Sequence, residues 1–94
     1  MYVGVVHKVE DPQAMLSRGE PLNDPANAPA GVRPLQFFPA KGLAAATCLW
    51  ESDSVETLRD YIDGTLGDSC ENSYFEISTE HAQGLPQQET ARAS

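Results

Sequence analysis

Apolar residues in this chain come in short bursts with distinct periods. Tyr2 to Lys8 (YVGVVHK) packs three valines into seven residues. This is β-branched density suited to a strand, with Gly4 marking a close approach. Val3, Val5 and His7 then face one side and Tyr2, Gly4, Val6 and Lys8 the other. Asp11-Pro12 places a capping residue before a proline at the first helical position, and Ala14, Met15 and Leu16 add an apolar patch before Gly19. The expectation is a helix of about two turns, supported by packing. Residues 35–38 (LQFF) read as a short strand. The turn 39–42, ending in Gly, leads to residues 43–51 (LAAATCLWE), read as the second arm of a hairpin despite the alanine run. Asp53 to Glu56 has the outline of a capping box with Asp53 as cap. Val55, Leu58, Ile62 and Leu66 form one face of a helix that Gly67 ends. Residues 73–78 (SYFEIS) alternate, with Phe75 and Ile77 opposite Tyr74 and Glu76.

Residues 20–34 interrupt this pattern with Pro21, Pro25, Pro29, Pro34 and Gly31. No regular element is expected across so many breakers, and so long a connection is usually functional or partly disordered. The resulting order is β-α-β-β-α-β. With right-handed crossovers it closes as a ferredoxin-like α+β fold, a four-stranded antiparallel sheet with two helices on one face. Residues 1–83 form this single domain, and 84–94 read as a mobile tail. The uncovered sheet face keeps apolar groups, and a small domain buries surface inefficiently. A homodimer with facing sheets is therefore expected.

Charge narrows the partners. Six Lys+Arg against fourteen Asp+Glu give −8. Without a basic cluster, neither nucleic acid nor anionic lipid is an expected partner. No apolar stretch reaches the roughly 20 residues of a membrane helix. No secretory signal is evident at the start, so Cys48 and Cys70 read as free thiols in a reducing cytoplasm. Cys48 is expected as a small buried hydrophobe and Cys70 as an exposed loop residue.

The candidate chemistry is sparse. His7, Thr47, Tyr74 and Glu76 are expected to open together into a half-buried cavity between the sheets. Imidazole, phenol and carboxylate there would suit ligand binding or proton transfer. His7 with Glu76 is a conceivable divalent-metal pair. Trp50, with Phe37, Phe38 and Tyr61, could wall a pocket, though such aromatics more often fill a core. Asp60, Asp63, Asp68 and Glu71 read as a solvated acidic surface. The chain lacks a phosphate-binding glycine loop, a Cys-x-x-Cys pair, a His-Glu-x-x-His helix and a Gly-x-Ser-x-Gly elbow, so no catalytic residue is assigned.

Cys48-Leu49-Trp50-Glu51, Ser54 to Arg59 and Gly67 resemble the corresponding segments of small nickel-responsive ferredoxin-like proteins of bacteria. The chain as a whole resembles the dimeric α+β barrel group, ferredoxin-like sheets paired face to face, within which those proteins fall. The resemblance spans residues 43–78 and implies paired sheets enclosing a site. The favoured expectation is a dimeric small-molecule or metal-binding module of unassigned cofactor. The alternatives are a cofactor-independent oxygenase- or isomerase-like enzyme and a structural interaction protein.

Overall fold

The computed structural model describes residues 1–86. It contains β1 (Tyr2–Val9), α1 (Pro12–Gly19), β2 (Arg33–Pro39), β3 (Ala45–Glu51), α2 (Val55–Leu66) and β4 (Cys70–Glu76). The strands are antiparallel in the order β2-β3-β1-β4, which is the ferredoxin-like topology. The Val-rich β1 pairs with β3 and β4 and so lies inside the sheet, where β-branched side chains pack best.

Register decides which side each residue serves. Val3 lies opposite Trp50, Val5 opposite Cys48 and His7 opposite Ala46. On the other side of β1, Val5 faces Tyr74 and His7 faces Asn72. Val3, Val5, Cys48 and Trp50 share the core with Met15 of α1 and with Leu58, Ile62 and Leu66 of α2. The expected helical stripe is therefore the buried one. The opposite sheet face leaves Val6, Phe38 and Phe75 exposed, Phe38 by 60%. Phe75 lies across Gly4, where an added Cβ would come within 2.4 Å of its ring. This explains the glycine in an otherwise Val-rich strand.

Four local expectations are corrected. The 20–34 connection contains two 3-10 turns, Glu20–Asn23 and Pro25–Asn27. Pro21 and Pro25 sit in their first turns, where a missing N–H matters least, and the Asp24 side chain accepts from Ala26 N at 2.9 Å. Leu22 and Val32 are buried and pin the segment to the core. Second, β2 begins at Arg33, because an edge strand tolerates Pro34 and Arg33 is held to Glu51 at 2.7 Å. Third, Ser54, not Asp53, caps α2, accepting from Thr57 N at 3.1 Å. Fourth, β4 starts at Cys70, so that thiol is buried. Both cysteines are free. Of the tail expected at 84–94, residues 87–94 lie outside the described residues.

Candidate functional site

A cavity of about 240 Å³ lies between the sheet and its helical cover. Its floor includes His7, Cys48 and Trp50, its far wall Ile62 and Leu66 of α2, and its near wall α1. The 3-10 segment contributes Leu22 and Pro25, and β2 contributes residues 34–37. A bulge between Pro34 and Gln36 shifts the register at this wall. The volume falls just below the roughly 300–1,000 Å³ of typical small-molecule sites.

A polar chain runs from the surface to this floor. Asp63, on α2, accepts from Tyr74 Oη at 2.5 Å and from Asn72 Nδ2 at 2.9 Å. The second bond orients the Asn72 amide, leaving its Oδ1 toward His7 Nδ1 at 2.6 Å. An amide oxygen only accepts, so Nδ1 carries the proton and donates. The Nε2 lone pair then faces Cys48 Sγ at 3.1 Å and accepts the thiol hydrogen. Trp50 Nε1–H donates to the same sulfur at 3.1 Å. Trp50 is steadied in turn by an edge-on contact with Tyr61, ring centroids 6.0 Å apart. Among the described residues no buried side-chain polar atom lacks a partner.

Burial controls the protonation states. It pulls His7 below its ordinary value, against the opposing influence of the Asn72 bond and the Asp63 charge. It pushes the Cys48 thiol up to about 12, with the Trp50 hydrogen bond pulling the other way. Tyr74 is pushed up by burial and by its bond to Asp63, and stays a phenol. At neutral pH the resting pair is therefore a thiol and a neutral imidazole.

No family model, curated protein or solved structure matches this chain. The site must be read from its own geometry.

The expected site residues separate across the sheet. His7, Trp50 and Tyr74 lie on the helix-facing side, so the idea that they open between two sheets is corrected. The reason is strand parity, since His7 shares the side of Val3 and Val5, which the helices cover. Thr47 pairs with Val6 and is exposed on the other face. Glu76 lies opposite Val3, four residues from Asn72. At about 3.3 Å per residue this puts it roughly 13 Å along the strand from His7, too far to share a metal ion. Among the described residues, no three His, Cys, Asp or Glu side chains converge on a metal position. Phe37 and Trp50 line the cavity, whereas Phe38 does not.

Cys48, Asn72 and Asp63 are the members that reading the sequence missed. Cys48 was placed as inert packing. Asn72 falls just outside the expected strand 73–78, whereas β4 begins at Cys70. Asp63 looked like one more surface acid. The available signal was parity: a thiol two residues from Trp50 on a hairpin arm shares its face.

Proposed function

We propose that this protein is a small-molecule-binding module whose ligand is an apolar organic compound held beneath the 20–34 segment. The observation that carries this reading is the cavity itself, with aliphatic and aromatic walls and a cluster of oriented polar groups at its floor. A few placed polar groups in an apolar cleft are the usual design of a ligand site. The ligand is organic rather than a divalent ion, because His7 and Glu76 are too far apart to chelate one.

The exposed Val6, Phe38 and Phe75 favour a homodimer joined through the open sheet face. Each copy then keeps its own ligand site on its helix side. Two unpaired thiols fit a reducing cytoplasm.

The sole tryptophan, Trp50, reports on the cavity. Titration with 4-nitrophenyl butyl ether should quench its emission saturably, since the nitroarene would sit against the indole. Leu16→Phe with Leu35→Phe, both on the wall and neither buried, should abolish the quench while leaving the far-UV circular dichroism unchanged. Equal quenching in this filled variant refutes the reading. Melting temperature should not respond to Ni²⁺; a saturable rise at equimolar ion would restore a metal role.

A further inference from the structure

We propose that Cys48 is an acyl-accepting nucleophile, with His7 as its general base and Asn72 positioning that base, acting on short apolar carboxylic esters bound in the cavity. This rests on the ligand-binding reading above and adds a reaction to it.

The geometry is a thiol, an imidazole and an amide joined in series. Cys48 Sγ is 3.1 Å from His7 Nε2, and His7 Nδ1 is 2.6 Å from Asn72 Oδ1. Nucleophile, base and orienting group within hydrogen-bond reach form the arrangement that activates cysteine on unrelated folds. Here the third member is itself fixed, because Asp63 holds the Asn72 amide by its nitrogen. The His7 tautomer is therefore imposed from the surface inward, and its free lone pair can only face the sulfur. Both Cys48 and His7 border the cavity, so the sulfur has a place for a substrate beside it. A purely packing cysteine needs neither an oriented base nor an adjoining space.

The step balances without a further reactant. The S–H proton passes to His7 Nε2 as sulfur bonds to the ester carbonyl carbon, whose C=O π pair moves onto oxygen to give a tetrahedral oxyanion. The Trp50 N–H steadies the sulfur as negative charge develops, and Asn72 Oδ1 holds the imidazolium. Collapse breaks the carbon–oxygen bond to the leaving group, which takes the proton back from His7. Thiol and ester become thioester and alcohol. Water, deprotonated by His7, then cleaves the thioester to a carboxylic acid and restores the thiol. The small, largely apolar walls fit a short acyl chain and offer little to bind a peptide backbone.

His7 is faced by Cys48 from β3, Asn72 from β4 and the Asp63 charge from α2, with Tyr74 bonded to Asp63 and Glu20 at the cavity wall. Burial favours neutral His7 and protonated Cys48 near pH 7, so attack requires transfer of the thiol proton to His7 and does not draw on a standing thiolate.

The test mixes the full-length protein with 4-nitrophenyl butyrate and follows nitrophenolate release, intact mass and the labelled peptide. The expected result is a burst of one equivalent with butyryl on Cys48 and none on Cys70. His7→Gln should slow the burst by about 100-fold or more, within the usual range for a lost general base. The rate should be flat between pH 7 and 8.5 and fall only on the acid side, below the ordinary histidine value. Asn72→Ala should slow the burst and alter that acid limb, which a packing role would not move. Cys48→Ala should lose the burst. If wild-type protein binds the ether but never acylates, or labels Cys70 equally, the nucleophile assignment falls and the binding reading stands. If the rate climbs tenfold per pH unit up to pH 9, an ordinary thiol is reacting and the assignment also falls. If Cys48 acylates normally in the filled-cavity variant, the cavity is not the ester's site. Peptide mapping on wild-type protein decides the matter even should Cys48→Ala fold poorly.

Discussion

Asn72 joins a base inside the molecule to a carboxylate at its surface, and its removal strands the base. Asn72→Ala leaves His7 Nδ1–H without its acceptor and deletes one bond to Asp63. Unmaking this part-buried link to the buried His7 ring costs about 1–3 kcal/mol, which urea unfolding should register. His7 adds a pH signature. Its folded value lies below that of the unfolded chain, so the unfolded state binds more protons between the two. Stability from this residue is complete above the ordinary histidine value and declines as the pH falls toward the folded one. Melting temperature should drop between pH 7 and 5, less steeply in a His7→Gln background; equal slopes would contradict the burial of a neutral ring. Gly31 is a simpler case, with φ near +80° and a Cβ position 2.0 Å from Asp53 Oδ2. Gly31→Ala should destabilise by about 1–3 kcal/mol through backbone strain, since the exposed Asp53 carboxylate can swing aside. That His7 shares a face with Val3 and Val5 was readable from the alternation of β1, but that the helices cover this face was not. Nor were the partners of His7, since only the pairing register puts Asn72 and Cys48 beside it.

Among the elements, α2 needs least from its surroundings and α1 most. The Leu58, Ile62 and Leu66 stripe and the Ser54 cap give α2 a strong local signal. The sequence pattern suggests Asp53 as cap, and the bond from Thr57 N to Ser54 Oγ moves the cap one residue on. Ser54→Ala should cost about 1 kcal/mol, with a smaller effect expected from Asp53→Ala. Comparing the two urea midpoints checks which residue is the cap. By contrast, α1 has eight residues, too few to persist alone. Buried Met15 and a bond from Arg18 to the Leu66 carbonyl at 3.1 Å tie it to α2. The proline-rich connection escaped reading as an ordered element because its 3-10 turns lack periodicity. Its order comes from two anchors, Leu22 and Val32, set ten residues apart in the chain.

At the scale of the whole molecule, the helices protect one side of the sheet and leave the other to the environment. Homodimerisation through the open face should appear in light scattering as a concentration-dependent doubling of mass. Each copy carries −8, so added salt should strengthen pairing by screening repulsion. Phe38→Asp should keep the protein monomeric with an unchanged far-UV spectrum. A wild-type chain that stays monomeric at millimolar concentration would refute the pairing. Trp50 quenching by the ether should survive in the Phe38→Asp monomer, because the cavity lies on the opposite side of the sheet.

The alternating and helical periods by themselves determined the order of elements, the buried stripe of α2 and the face to which each residue of β1 belongs. These are local consequences of backbone geometry, which makes side chains recur every two or 3.6 residues. Only the tertiary structure decided the register in which neighbouring strands pair, and hence that a thiol, an imidazole and an amide from three strands meet. It also decided that the meeting point is a cavity under the proline-rich segment instead of the bare side of the sheet. Contacts between distant parts of the chain depend on register, and a one-residue change in register reverses every side chain on a strand.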